Sequence, residues 1–170
     1  MARRLMMELA IITCVSASRW LLRVAASSAF AATSALHRME TEDIACAALR
    51  FGNGALGSLN ATTASFPGFA ERIEMVGTQG TAILAAGKVD FWWQDGRHES
   101  LGEEATLGGG ADPMAFANDA HRAVLAEFLD ALDDNRAPAN SGHAALLVHD
   151  LIDAVLQSSR AHAPVAVRQR

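Results

Sequence analysis

Asp43-Ile44-Ala45-Cys46-Ala47-Ala48-Leu49-Arg50-Phe51-Gly52-Asn53-Gly54-Ala55-Leu56-Gly57-Ser58-Leu59-Asn60-Ala61-Thr62-Thr63 is the stretch on which the fold turns. A short apolar run ends at Gly52-Asn53-Gly54, and a second run follows in which Leu56 and Leu59 punctuate small and hydroxyl residues. Asn-Gly between two such runs is a strong hairpin signal, because both turn positions must tolerate positive φ. The reading is therefore two antiparallel strands with one packed face.

Working outward, the same pattern repeats. Upstream, small, apolar and hydroxyl residues alternate from about Ala29 to Leu36 and predict a further strand. Downstream, Phe66-Pro67-Gly68-Phe69 forms a turn, and Arg72 to Val76 alternates polar and apolar with the period of a half-buried strand. Gly77-Thr78-Gln79-Gly80 is another turn and Thr81–Ala85 another strand. Val89–Trp93 and His98–Leu101 predict one more hairpin around Asp95-Gly96.

The period then changes. Gly108-Gly109-Gly110 breaks the chain, and Asp112-Pro113 offers a helix start. From Ala117 to Leu132 the apolar residues Val124, Leu125, Phe128, Leu129 and Leu132 fall at helical spacing. Arg136 to Asn140 ends that helix, and Ser141 is a natural N-cap for the next. The second stripe is Leu146, Leu147, Leu151, Ile152, Val155 and Leu156. Hairpins followed by helices near 117–134 and 142–160 make an α+β fold. Its expected architecture is an open, mainly antiparallel sheet with helices packed on one face.

Composition excludes several classes. Hydrophobic residues make up 51% and charged residues 19% of the 170, enough for a packed core. The net charge of −5 gives no basic footprint for a phosphate backbone, so no nucleic-acid partner is expected. Two cysteines, Cys14 and Cys46, form neither a disulfide framework nor a metal spacing and read as small buried hydrophobes. No apolar run reaches the roughly 18 residues of a membrane span, so no membrane partner is expected either. Residues 1–28 differ from the rest. Arg3 and Arg4 precede the apolar Leu9–Val15 and then Ser16-Ala17-Ser18, as in a secretory signal, although Glu8, Arg19 and Arg23 interrupt the pattern. An amphipathic helix around Trp20, Leu21, Leu22 and Val24, or a non-native leader from a displaced start, fits the same residues.

The ordered set from Glu42 to Ala82 resembles the C-terminal domain of the Gfo/Idh/MocA oxidoreductases. Its parts are Glu42-Asp43-Ile44-Ala45, Leu49 to Gly57 around Asn53-Gly54, Ala61-Thr62-Thr63, Phe66-Pro67-Gly68-Phe69, and Glu71 to Ala82 around Gly77-Thr78-Gln79-Gly80. The closing run, His121-Arg122 through Phe128-Leu129-Asp130-Ala131, then Ala137-Pro138, then the helix to Ala163-Pro164-Val165, resembles the end of that domain. On this reading residues 1–28 are a non-family leader and 29–167 the family domain. The resemblance implies a two-domain enzyme. One domain is a Rossmann fold holding NAD(P). The other is a sheet domain that covers the nicotinamide, helps bind a sugar, polyol or similar substrate, and forms a homodimer interface.

Within this chain the resemblance implies a substrate-facing loop, Phe66, Pro67, Gly68 and Phe69, whose aromatic faces suit sugar C–H surfaces. A β-turn with packed aromatics is the plainer reading of the same four residues. No Gly-rich strand-to-helix turn occurs, so no cofactor is expected on the chain, and NAD(P) belongs to the full-length family enzyme. No catalytic residue is assigned. The family lysine stands before proline, whereas Lys88, the only lysine, lies in Gly87-Lys88-Val89 and reads as a turn or edge charge. The family's Asp/His helix has no counterpart, because no Asp or His precedes His37. His143 and His149 are poorly spaced for one metal, and none is expected. The expected function is a truncated oxidoreductase's substrate-binding and dimerisation domain, inactive alone, in the cytoplasm (or exported, if the leader is a signal). The competing reading is a binding or assembly domain with no enzymatic role.

Overall fold

The structure, a computed structural model, describes residues 24–66, 69–102, 119–139 and 141–169. Their elements are β1 (Val24–Ala32), β2 (Ile44–Phe51), β3 (Leu56–Thr62), β4 (Arg72–Gly77), β5 (Gly80–Ala85), β6 (Lys88–Trp93), β7 (His98–Leu101), α1 (Asp119–Asp133), α2 (Gly142–Ala161) and β8 (Val165–Ala166). The α+β class holds. The expected single sheet is instead two four-stranded antiparallel sheets, ordered β3-β2-β1-β8 and β4-β5-β6-β7. They belong to two compact units, one of the described residues up to Ala64 and from Asp119 onward, the other of the described residues from Ser65 to Gly102.

In the first unit the alternation of β2 decides which face is covered. Ala45, Ala47 and Leu49 are buried, while Ile44, Cys46, Ala48 and Arg50 are exposed. Ala29 of β1 and Ala61 of β3 join the buried face, where Val148, Ile152 and Val155 of α2 meet them. Alanines on the strands let the helix come close, so its branched side chains fill the gap at interior packing density. The first strand begins at Val24 rather than near Ala29, and it pairs along its length with β2, from Val24 opposite Phe51 to Ala32 opposite Ile44. Cys46, expected to be buried, is exposed on the open face, because Ala45 and Ala47 hold the inward positions of the two-residue period.

α1 runs close to its expected bounds, but its apolar stripe does not face the sheet. Val124, Leu125, Phe128, Leu129 and Leu132 are all exposed, and among its described side chains only Ala131 is buried. The alanine-rich strand face is narrow enough for the Val148–Ile152–Val155 ridge of α2 to fill. Asn135, with φ of 50°, ends α1 in the left-handed conformation. Arg136 N–H donates to the Ala131 carbonyl and Asn135 N–H to that of Leu132, the paired bonds of a Schellman cap.

The outer edge of β1 is closed in an unusual way. β8 pairs only with Ala26 and Ser27. Beyond it, Ala29 N–H donates to Ser158 Oγ at 3.0 Å and Ala31 N–H to Ser159 Oγ at 2.8 Å. Two hydroxyls on the last turns of α2 thus satisfy backbone donors that a neighbouring strand would otherwise take. Ser158 Oγ in turn donates to the Ala163 carbonyl at 2.7 Å.

Two hairpin loops share one construction. At β2–β3, Gly54 N–H donates to the Phe51 carbonyl, Phe51 N–H donates to the Ala55 carbonyl, and Asn53 Oδ1 accepts from Ala55 N–H. At β6–β7, Gly96 N–H donates to Trp93, Trp93 N–H donates to Arg97, and Asp95 Oδ1 accepts from Arg97 N–H. Each is a three-residue loop closed by a left-handed glycine, Gly54 at φ 88° and Gly96 at φ 89°. The sequence reading required positive φ at both Asn53 and Gly54. Only Gly54 adopts it, because the extra loop residue, Gly52, makes a bulged turn instead of a two-residue one.

In the second unit the registers of β4–β7 sort the side chains into two faces. One carries Ile83, Asp90 and Ser100 in a row, and Thr81, Trp92 and His98 in the next. The other carries Leu84, Val89 and Leu101, and Ala82, Phe91 and Glu99. Phe91 and Trp93 stack on the latter face with ring centroids 6.1 Å apart, and the Arg97 guanidinium lies 5.2 Å above the Trp93 ring.

Candidate functional site

The substrate-facing loop expected from sequence falls between β3 and β4. Phe66 is 92% and Phe69 78% exposed, so neither ring is packed and the plainer reading of a turn with buried aromatics does not hold for them. Pro67 and Gly68 lie outside the described residues. Two unpacked phenyl rings three residues apart cost apolar exposure in the free chain and are available to a ligand's apolar face.

A second cluster was not legible from sequence. The loop from β1 to β2 folds over Asp43, which is buried. Its Oδ1 accepts from Ser34 N–H at 2.6 Å, its Oδ2 from Ser34 Oγ at 2.6 Å, and His37 Nδ1 lies 2.9 Å from Oδ2. Serine, histidine and aspartate are together, but the hydroxyl donates to the carboxylate. A nucleophile relay needs the imidazole between them, so this cluster ties a loop rather than activating Ser34. The Ser34 hydroxyl and backbone N–H, aided by His37 and opposed by burial, hold the Asp43 carboxyl down at about 2. Its folded value lies below its unfolded value of about 3.9, so the stabilisation is complete above pH 4 and is lost as pH falls toward 2. Acid titration followed by circular dichroism is expected to show that loss in this window, and Asp43→Asn is expected to remove the slope while lowering stability at neutral pH.

The third cluster lies on β6 and β7. Asp90 Oδ1 accepts from the Ser100 hydroxyl, with Lys88 Nζ and His98 Nε2 each 3.3 Å away. The Ser100 bond leads the effects that lower the Asp90 carboxyl below its usual range, against desolvation and with help from Lys88 and His98. Trp92 stacks on His98 with centroids 4.9 Å apart. Because Asp90 faces Ser100 and Trp92 faces His98 directly across the strands, these pairs fix the β6–β7 register. Lys88 opens β6 and is held as the partner of Asp90, in a cross-strand network.

The described residues contain no group of His, Cys, Asp and Glu able to hold a metal ion. His121 sits on α1, and His143 and His149 on α2. No described helix is long and apolar enough to cross a membrane.

The GFO/IDH/MocA C-terminal domain profile matches residues 7–83. That match begins inside the segment set apart above as a leader. No curated protein matches the sequence significantly. Among solved structures, an oxidoreductase from Agrobacterium radiobacter in complex with NAD+, L-tartaric acid and magnesium is 21% identical, with a TM-score of 0.72 over 92% of this chain and 47% of its own. Levoglucosan dehydrogenase in complex with NADH is 17% identical, with a TM-score of 0.76 over 96% of this chain and 50% of its own. The WlbA dehydrogenase from Bordetella pertussis, in complex with NADH and UDP-GlcNAcA, is 24% identical, with a TM-score of 0.57 over 94% of this chain and 45% of its own. These likenesses establish the fold, and the chain spans about half the length of each of the three.

Proposed function

We propose that this chain, whose residues 7–83 match the GFO/IDH/MocA C-terminal domain profile, is the substrate-facing half of an NAD(P)-dependent oxidoreductase of sugars, polyols or related hydroxy compounds. The observation that carries the reading is the exposure of Phe66 and Phe69 on the β3–β4 loop. Phenyl faces suit the C–H surface of a sugar and leave its hydroxyls free for polar neighbours.

The described residues do not fit NAD(P). A pyrophosphate needs backbone N–H groups from a Gly-rich turn between a strand and a helix. α2 is entered from a helix–helix loop through Ser141-Gly142, not from a strand. Oxidation of a secondary alcohol also needs a base for the hydroxyl proton. Lys88 is engaged by Asp90, and Asp43 is held ionised under Ser34 and His37, its carboxylate buried in the loop. On this reading a nucleotide-binding half supplies both cofactor and base.

The test fuses the nucleotide-binding half of levoglucosan dehydrogenase ahead of residue 7 and follows NAD(P)+ reduction across sugars and polyols. Turnover is expected from the fusion and not from the chain by itself. Phe66→Ala with Phe69→Ala is expected to raise KM roughly tenfold with little change in kcat, the effect of losing about 1.4 kcal/mol of ring contact. Turnover by the unfused chain, or a KM untouched by the double substitution, would sink the proposal.

A homodimer through the open face of the β1–β3 sheet is part of the same reading. Phe30, Ile44 and Leu56 are exposed there around the smaller Cys46 and Ala48, apolar groups that a second copy would cover, with Arg50 paired beside Leu56 and Ser58 and Asn60 on the same face. Sedimentation is expected to give a dimer that Phe30→Asp with Leu56→Asp converts to monomer. A soluble monomer at high concentration would refute it.

A further inference from the structure

In an antiparallel strand every second residue turns its N–H and carbonyl toward the same edge. On β1 the outward row is Ala25, Ser27, Ala29 and Ala31. The Ala25 carbonyl accepts from Val167 N–H at 3.0 Å, and Ser27 stands opposite Val165 of β8. Continued by two residues, that register would set Ala163 opposite Ala29. The chain has turned away by then, with His162 at φ 52°. The Ser158 hydroxyl fills the gap, accepting from Ala29 N–H at 3.0 Å and donating to the Ala163 carbonyl at 2.7 Å. It thus bridges the two groups that a longer β8 would pair directly. One position further, Ser159 Oγ accepts from Ala31 N–H at 2.8 Å and donates to the Ala31 carbonyl at 3.4 Å, serving both groups that a strand residue would serve. Among the described residues no further strand continues the sheet beyond β8.

The covering segment is lightly held, whereas the strand beneath it is not. β1 pairs along its length with β2, but β8 is two residues long. The core contacts of α2 at Val148, Ile152 and Val155 all precede the serines, and His162 adopts a left-handed conformation that a non-glycine residue resists. Release of this segment would leave a row of unpaired backbone groups, a template for another strand. The sequence of that row favours a second copy as the occupant. Val24–Ala32 has no charged residue and no proline, the usual devices that keep edges apart, and all of its side chains except Val24 and Phe30 are small. Two such edges are self-complementary about a twofold axis. We propose that the end of α2 and β8 form a strap over the outer edge of β1, fastened by the Ser158 and Ser159 hydroxyls, whose release opens this edge to β1 of a second copy.

The experiment compares the chain with its Ser158→Ala, Ser159→Ala variant by amide hydrogen exchange and by sedimentation over a range of concentrations. At low concentration the Ala29 and Ala31 amides of the variant are expected to exchange roughly tenfold faster, while those of Ala45 and Ala47 in β2 keep their rates. At high concentration the variant is expected to reach at least twice the mass of the unsubstituted chain. Adding Ala31→Pro removes an N–H that faces outward and is not bonded to β2, so it blocks only the new pairing. It is expected to return the variant to the original mass. Where the double substitution also speeds exchange at Ala45 and Ala47, Ser159→Ala alone is read in the same way at Ala31, with Ser159→Thr, which keeps the hydroxyl, restoring the original rate. Unchanged exchange at Ala29 and Ala31 would show that the hydroxyls fasten nothing. Faster exchange with no gain in mass, or a gain in mass that survives Ala31→Pro, would overturn the pairing of two β1 edges.

Discussion

Ile152→Ala is expected to lower the unfolding free energy by about 2–5 kcal/mol, the range for removing a branched side chain from a rigid core. Ile152 is 1% exposed and sits at the centre of the contact between α2 and the β1–β3 sheet. Its neighbours across the interface are mostly alanines, Ala29, Ala45, Ala47 and Ala61. Alanine has no rotamer with which to fill a void, and the paired strands cannot move inward singly, so the cavity would persist. That places the expected cost toward the upper part of the range. Urea unfolding at neutral pH checks it, with Leu156→Ala, at a partly buried position on the rim, as the smaller comparison. A loss under 1 kcal/mol at Ile152 would mean that α2 does not hold the sheet as described.

Gly80→Ala is expected to cost about 3 kcal/mol in the β4–β7 sheet, because a methyl group there has nowhere to go. An added Cβ would lie 2.2 Å from the Trp92 carbonyl oxygen and 3.0 Å from Trp93 Cα. Both are backbone atoms of the paired strand β6, so no side-chain rotation relieves the clash. The β5–β6 pairing must open where Gly80 faces Trp93. The Phe91–Trp93 stack and the Trp92–His98 stack lie beside that point, which gives the near-ultraviolet circular dichroism signal a direct view of the change. Gly96→Ala is the informative contrast. Its Cβ would meet nothing within 4 Å, so only the positive φ resists it, and a smaller effect is expected. Equal losses at the two glycines would show that backbone conformation, not close approach of β6, explains Gly80.

Much of the local structure was written in the chain itself. The polar–apolar alternation of Arg72 to Val76, the glycines that close the hairpin loops, and the helical spacing of Val124 to Leu132 and Leu146 to Leu156 each mark an element that the sequence carries openly, whereas the alternating burial of β2 lay hidden in a plain apolar run. Helix bounds came out within a few residues: Ser141, read as an N-cap, directly precedes α2, and the left-handed Asn135 that ends α1 lies one residue before the Arg136–Asn140 stop read from the sequence. Turn detail was less open. Ala86 adopts φ of 51° beside Gly87 at φ 79°, so the β5–β6 turn uses a left-handed alanine that no propensity would choose. The pairing of β5 with β6 on either side holds it there.

The candidate sites divide along the same line. Phe66 and Phe69 could be picked out as aromatics in a glycine-proline turn, but whether they pack or stand free depends on which surfaces reach the loop. The Asp43 cluster joins Ser34, His37 and Asp43 through a loop whose path no periodicity describes, and Asp90 meets His98 and Ser100 only because one strand register places them opposite. The sequence by itself determined most of the elements, the helical spacing, the loop glycines Gly54 and Gly96 and the Ser141 start of α2, because those depend on neighbours a few residues away. Tertiary structure alone decided that the strands form two sheets, that α2 and not α1 covers the alanine face, and that Ser158 and Ser159 close the β1 edge. Those outcomes depend on contacts across more than a hundred residues, where fit between surfaces, and not local preference, sets the free energy.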